Sequence, residues 1–465
     1  MKRRDFVNVL ASGIALTVLP AGSQAGQAGR KPNIIYILAD DLGYGDLSCN
    51  GQKKFETPHI DRLAEEGMKF TQHYSGSTVC APSRCTLMTG YHTGHAQVRG
   101  NREVKPEGQA PMAADTITIP DLLDKAGYVS GAFGKWGLGY PGSASDPMQY
   151  FDRFYGYNCQ RKAHSYYPDH LWSDSEKVEL GGKTYAHDLI MDAAKKFIRQ
   201  NKDRPFFCYL PVIIPHAAMQ APKELHDKYR KIFPQFEDKT GKYGGAIVQN
   251  PVAAFPAMVE HLDNGVGEIL ALLKDLGIDE DTLVMFTSDN GPHLEGGHDP
   301  RFWDSNGPFR GFKRDLYEGG IRAPFLARWP GRIAGGSESD HISAFWDMLP
   351  TFCDIAGVQP PEGIDGISML PAMLGKEQPE HDYLYWEFPA KGGRQAIRKG
   401  DFKAVKLGVH KNPDAPIELY NLAKDRGENN NVAKKYPEIV AEMRRLFKSA
   451  RTESKDFKLF GEADS

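Results

Sequence analysis

Short apolar runs bounded by Gly, Pro or polar clusters alternate with segments of helical periodicity along most of this chain, and that alternation constrains the fold more than any other feature. A strand buried on both faces is apolar throughout, so such runs belong in a parallel sheet covered by helices. Residues 33–38, 129–133, 206–210 and 283–287 read as the clearest strands, and residues 60–67, 119–126, 186–200 and 257–276 as helices. At 465 residues the chain exceeds the size at which one core stops growing, which predicts a large domain and a smaller one. Residues 357–379 are rich in Pro and Gly, and beyond them the pattern changes to short strands at 382–386, 395–398, 402–407 and 418–421. The expected division is a large α/β domain over residues 29–378 and a small C-terminal α+β domain with an antiparallel sheet over residues 379–465. Its last helix, residues 437–450, places Ile439, Met443, Leu446 and Phe447 on one face, which should pack on that sheet.

Lys and Arg total 57 against 60 Asp and Glu, a net charge of −3, which gives no electrostatic ground for binding nucleic acid or anionic membranes. Any preference for anions must be local. The N-terminus reads Met1-Lys2-Arg3-Arg4-Asp5-Phe6, then an apolar stretch over residues 7–19, then small residues. Residues 1–28 are therefore expected to be a twin-arginine signal peptide, read by the twin-arginine export machinery, with a periplasmic or secreted destination. The apolar run is too short for a transmembrane helix, so no stable membrane anchor is expected. The six cysteines match neither a zinc pattern nor a dense disulfide framework.

Residues Cys80-Ala81-Pro82-Ser83-Arg84-Cys85-Thr86-Leu87-Met88-Thr89-Gly90 place a nucleophile candidate, Cys80, at the head of a short helix: Pro82 suits a first turn and Gly90 a helix stop. A helix N-terminus presents unpaired N–H groups and partial positive charge, and Arg84 adds a cation on roughly the same face. That environment suits a tetrahedral oxyanion. The segment resembles the signature of type I sulfatases, Cys-x-Pro-Ser-Arg followed after a short gap by Leu-x-Thr-Gly, with every fixed position present. The resemblance implies the alkaline-phosphatase-like fold, and conversion of Cys80 by a maturation enzyme to formylglycine, an aldehyde whose hydrate attacks sulfur.

Asp40 and Asp41 follow one predicted strand and Asp289 and Asn290 another, which puts four hard oxygen-bearing side chains at the carboxyl edge of the sheet. They suit one divalent cation, Ca²⁺ favoured over Mg²⁺ by ligand number and charge. The matching segments of sulfatases hold such an ion, with the residue at Cys80 as the remaining ligand. Three more segments resemble sulfatase active-site motifs: Gly134-Lys135-Trp136, Pro215-His216, and Arg310-Gly311-Phe312-Lys313 upstream of Glu318-Gly319-Gly320-Ile321-Arg322. A sulfate monoester is a poor, negatively charged electrophile, so Arg84, Lys135, Lys313 and the metal are expected to neutralise its oxygens. Asp289 is placed to accept a proton from the aldehyde hydrate, and His216, helped by Lys313, to assist departure of the alcohol. The sulfated hydrate then eliminates sulfate, using a hydroxyl that plain Ser or Cys lacks.

One position departs from the commoner family pattern. Many sulfatases carry Gly-Lys-Trp-His-Leu-Gly, whose His serves the elimination, whereas this chain has Gly137 there. His164, His293 or His298 could stand in, or could contact substrate. The loop from Arg161 to Trp172, with His164, mixes aromatic and cationic groups that suit a sulfated sugar. Expected partners are thus a sulfated small molecule or glycan and the maturation enzyme. Two alternatives stand beside the sulfatase reading: a phosphonate or phosphate ester hydrolase of the same superfamily, and a non-catalytic glycan-binding relative.

Overall fold

Five parallel strands form the centre of a ten-stranded sheet in the computed structural model, which describes residues 30–461. The expected signal peptide, residues 1–28, lies outside the described residues. The central strands run in the order Thr282–Ser288, Asn33–Ala39, Phe206–Pro211, Val129–Lys135, Arg153–Tyr157. On one flank Phe325–Arg328, Met68–Phe70 and Ser337–Ser339 extend the sheet, and on the other His170–Ser173 and Glu176–Glu179. The junctions Thr282–Ser288 with Phe325–Arg328 and Arg153–Tyr157 with His170–Ser173 are antiparallel. Helices cover both faces. Ile35, Ile37, Val284 and Phe286 bury toward the long helix Pro251–Asp275, while Ile34, Tyr36, Leu38, Leu283 and Met285 bury on the other face. Each such side chain contributes roughly 1.5–3 kcal/mol by leaving water.

Register positions the site. Asn33 pairs with Thr282 and Ala39 with Ser288, so these two strands end side by side and the residues after them meet. The Asp289 N–H donates to the Ala39 carbonyl at 3.1 Å. The sequence places four of the five central strands correctly to within a residue or two; the fifth, Arg153–Tyr157, carries too little apolar run of its own. The long helix begins at Pro251, ahead of its expected start, because the Asn250 side chain accepts from Ala253 N–H (3.0 Å) and the helix tolerates Pro256 inside it.

The C-terminal sheet is antiparallel in the order Leu384–Phe388, Arg394–Lys399, Phe402–Leu407, Ile417–Asn421. Alternation gives it two buried faces. Tyr385, Ile397 and Leu419 pack on Met443 and Phe447 of the helix Pro437–Ser449, as the periodicity predicts. Trp386, Val405 and Tyr420 pack instead on Tyr74, Val79 and Trp346 of the larger part, directly behind the residue preceding Cys80. No helix among the described residues is long and apolar enough to cross a membrane.

Candidate active site

The helix Cys80–Thr89 is buried along its whole length and begins after Val79, whose backbone is extended. Gly90 ends it in the left-handed conformation (φ 75°), its N–H donating to the Thr86 carbonyl. Gly76 must lack a side chain, since a Cβ there would meet Thr86 Oγ1 at 1.5 Å. Ser83 Oγ accepts the Gly76 N–H at 3.0 Å, which ties the helix to the incoming loop. The Asn101 side-chain oxygen accepts the Ala81 N–H at 3.0 Å, satisfying one of the unpaired donors at the helix start.

Around that N-terminus the sheet edge delivers the other groups. Cys80 Sγ lies 3.3 Å from Asp40 Oδ1. Lys135 Nζ meets Asp40 Oδ2 at 2.6 Å, and Arg84 bridges Asp289 Oδ2 (2.8 Å) and the Lys135 carbonyl. Lys313 Nζ sits 2.7 Å from Asp41 Oδ2 and 3.1 Å from His216 Nε2. His216 Nδ1 faces the Ala217 carbonyl, which fixes the proton on Nδ1 and leaves Nε2 to accept from Lys313. Asp41 adopts φ 67°, a left-handed conformation that Asp tolerates better than most residues. That turn lets its N–H reach Asp289 Oδ1 (3.1 Å) while its carboxylate faces Lys313.

The charges hold one another. Burial opposes ionisation of Asp40, but Lys135, His216, Arg84 and Lys313 outweigh it and keep the carboxyl well below the usual range. For Asp289, burial and the neighbouring Asp40 push the carboxyl up to about 7. Burial and Asp40 likewise raise the Cys80 thiol, so it is not a ready thiolate.

Ligand atoms of Asp40, Asp41, Cys80 and His216 all lie within 4.8 Å of one another, with Asp289 and Asn290 hydrogen-bonded to Asp41. Asn290 donates through Nδ2 to Asp41 Oδ1 (2.7 Å), while its Oδ1 is buried without a hydrogen-bond partner among the described residues. An orphaned amide oxygen costs about 1–3 kcal/mol, and it is the donor type that a hard cation takes. The residues present therefore fit a divalent ion.

The histidines named from the sequence separate by their partners. His164 stacks on His216 (4.7 Å between ring centroids, 3° between planes) and borders Tyr243 (5.0 Å). His293 is engaged at both nitrogens, Nε2 with the Pro215 carbonyl and Nδ1 with the Glu295 N–H, each at 3.1 Å. His298 stacks on Phe255 at 4.0 Å, and burial lowers its pKa. Arg161 is exposed, with Glu103 (2.6 Å) and the Pro106 carbonyl as partners. At Gly137, a Cβ would meet Gln160 Nε2 at 3.2 Å, so Gln160 occupies the space beside that position. Sequence reasoning missed Asn101 and Tyr243. Neither lies in a signature segment, and Tyr243 arrives on a two-stranded hairpin, Thr240–Tyr243 with Ala246–Gln249, whose short polar strands carry no periodic signal.

The sulfatase family matches residues 32–358, and the family described as N-sulphoglucosamine sulphohydrolase, C-terminal, matches residues 307–453. Among relatives, the chain is 34% identical to the N-acetylgalactosamine-6-sulfatase of Canis lupus familiaris over 84% of this chain and 74% of that one. It is 30% identical to the N-acetylgalactosamine-6-O-sulfatase of Bacteroides thetaiotaomicron over 92% of this chain and 94% of that one. The crystal structure of Ps i-CgsB in complex with k-i-k-neocarrahexaose superposes with a TM-score of 0.76 at 30% identity, covering 93% of this chain and 96% of that chain. Matched over most of its length in both sequence and fold, the chain belongs to the sulfatase family of enzymes.

Proposed function

We propose that this sulfatase releases sulfate from a sulfated carbohydrate, using a nucleophile made from Cys80 by its conversion to formylglycine. The observation that carries the reading is the convergence of Asp40, Arg84, Lys135, His216 and Lys313 around the helix N-terminus at Cys80, each placed by a different segment. Relatives named for N-acetylgalactosamine 6-sulfate support a sulfated amino sugar as the substrate class.

A divalent cation held by Asp40, Asp41, Asp289 and Asn290, Ca²⁺ in preference to Mg²⁺, would supply positive charge to the sulfate oxygens and lower the pKa of the attacking hydroxyl. Arg84, Lys135 and Lys313 bind and orient the same oxygens, fixed in advance by their carboxylate partners. Lys313 donates to His216 Nε2 across 3.1 Å, and this pair would hand a proton to the departing alcohol. For the final elimination, where Gly137 offers no base, His164 is our candidate, because its ring stacks on that of His216 at 4.7 Å between centroids.

Mass spectrometry of the peptide containing residue 80, beside sulfate release from N-acetylgalactosamine 6-sulfate, tests the reading. Fully active protein with an unmodified thiol would overturn it. His164→Ala should release about one equivalent of desulfated sugar and then stall, while continued turnover at the wild-type rate would remove His164 from the elimination.

A further inference from the structure

A cavity of about 620 Å³ opens where three distant segments meet beside the active-site helix. Residues 100–102 supply one wall, the hairpin after Leu384–Phe388 another, and the C-terminal tail around residue 457 the third. Val79, which precedes Cys80, and Arg314, which follows Lys313, also line it. The volume lies within the range of sites that enclose a small ligand, and its lining includes the chain neighbours of Cys80 and Lys313.

Its lining is strongly one-signed. Arg102, Arg314, Lys391 and Lys458 face it against the single carboxylate of Asp456, although the whole chain carries a net charge of −3. Two of these cations are already held: Arg102 by Asp456 at 3.0 Å, and Arg314 by Glu295. Lys391 and Lys458 are exposed and have no carboxylate partner among the described residues. Unpaired cations in a partly enclosed cleft focus the field toward an incoming anion. The apolar part of the lining is equally placed. Phe388 and Phe457 border the cleft, and the Arg102 guanidinium lies 4.9 Å from the Phe457 ring centre, which holds the tail against the wall. Asn101 also lines it, with its side-chain oxygen committed to Ala81 N–H and its amide N–H₂ left to meet a hydroxyl or ester oxygen.

We infer that this seam cleft binds a second anionic group of the substrate, carried on the sugar adjoining the one that loses its sulfate, with Lys391 and Lys458 as the residues that read it. The inference rests on the assignment of residue 80 as the reacting centre for a sulfated carbohydrate. It goes further in requiring an oligosaccharide with at least two anionic groups, and in giving the C-terminal tail a part in specificity. The second anion is a sulfate or a uronate carboxylate, two sources of one chemistry.

Binding, which needs no turnover, tests it. Calorimetry on Cys80→Ala protein compares an N-acetylgalactosamine-based disaccharide bearing one sulfate with the same disaccharide bearing a second sulfate on the adjoining sugar, and with a third in which uronic acid is the adjoining sugar. One or both two-anion probes should bind at least about tenfold tighter than the one-anion probe, and the better of them identifies the source. The advantage should shrink as salt rises, because exposed charges are screened. Lys391→Ala/Lys458→Ala in the same background should bring all three within about twofold, its fold unchanged since neither lysine has a carboxylate partner to lose among the described residues. Equal affinity of all three probes for the parent protein, or an advantage that survives the double substitution, would overturn the inference. Sulfate release by the wild-type enzyme reports separately on the underlying activity, so loss of one conclusion is not mistaken for loss of the other.

Discussion

Two buried charge clusters stand in this molecule, built from the same ingredients and doing different work. At the sheet edge, Asp40, Asp41 and Asp289 meet Arg84, Lys135 and Lys313. At the joint with the C-terminal sheet, Glu318 and Glu428 share Lys403 at 2.9 and 3.1 Å, with Arg322 (2.9 Å) and the Tyr74 hydroxyl (2.7 Å) also on Glu318. In the joint, two carboxyls converge on one cation, Lys403, and the groups lie between two cores. At the sheet edge, ligand atoms are also turned toward one another: Asp40, Asp41, Cys80 and His216 within 4.8 Å, with an orphaned Asn290 oxygen alongside. Both sets of carboxyls are paired with cations, but only at the sheet edge do carboxylate, thiol and imidazole ligand atoms also crowd together, which costs stability unless something positive arrives. The difference lies in where the atoms point.

Removing the centre of the first cluster should separate the two most sharply. Cys80→Ala is expected to lower sulfate release by at least about 10⁴-fold while leaving the unfolding midpoint within a few degrees, because the site contributes reactivity and little packing. Turnover near wild type would show that the convergence at Cys80 is as structural as the joint. Next, Asp289→Ala should lose both bound metal and activity, read by elemental analysis of purified protein against a Ca²⁺ or Mg²⁺ content near one per chain. Stoichiometric zinc required for activity would contradict an oxygen-only site, since zinc favours nitrogen and sulfur ligands.

The converse experiment falls on the joint. Lys403→Met leaves two buried carboxyls without their shared cation and should destabilise the protein by about 3–5 kcal/mol, seen as a lowered unfolding midpoint. The protein that remains folded should keep kcat within a few-fold. A selective loss of kcat with the midpoint unchanged would mean that the two clusters are coupled.

These clusters also differ in how far the sequence exposes them. The candidate active site is legible because its groups sit at strand ends or in signature segments: Asp40 after one apolar run, Asp289 after another, Cys80 before Pro82. Strand register then brings them together automatically. Lys403 and Glu428 read as ordinary surface charges, because nothing local announces that Val405 and Tyr420 around them pack on Tyr74 and Trp346 from a distant segment. The edge strands Met68–Phe70 and Ser337–Ser339 are equally silent, being three residues long and held by neighbours rather than by their own pattern. Asn101 belongs to the same class: a lone polar residue whose role depends on the helix end it reaches.

The smallest expected effect is a matter of sign and tests the joint from within. Burial and the nearby Glu318 charge push the Glu428 carboxyl up to about 7, with Lys403 only partly opposing. At Glu318 burial acts in the same direction, but Lys403, Arg322 and Arg398 overcome it and bring the carboxyl down to about 2. A carboxyl whose folded pKa exceeds its unfolded value near 4.5 stabilises the fold fully below that value, and the contribution fades as pH rises through the folded pKa. Glu428 should therefore cost the protein on the order of 1–3 kcal/mol between about pH 5 and 8, since every tenfold weakening of an acid on folding adds about 1.4 kcal/mol to the cost of ionising it before neighbouring charges relax. Glu318, with its depressed pKa, behaves oppositely: its contribution is present above the unfolded value and is lost only as pH falls toward 2. Unfolding midpoints of wild type and Glu428→Gln measured from pH 5 to 8 should converge at the acid end and separate at the alkaline end, with the glutamine variant the more stable there. If the glutamine variant is instead less stable at pH 8, Glu428 is ionised and paired in the fold, and the joint holds a full negative charge on each of its two carboxylates.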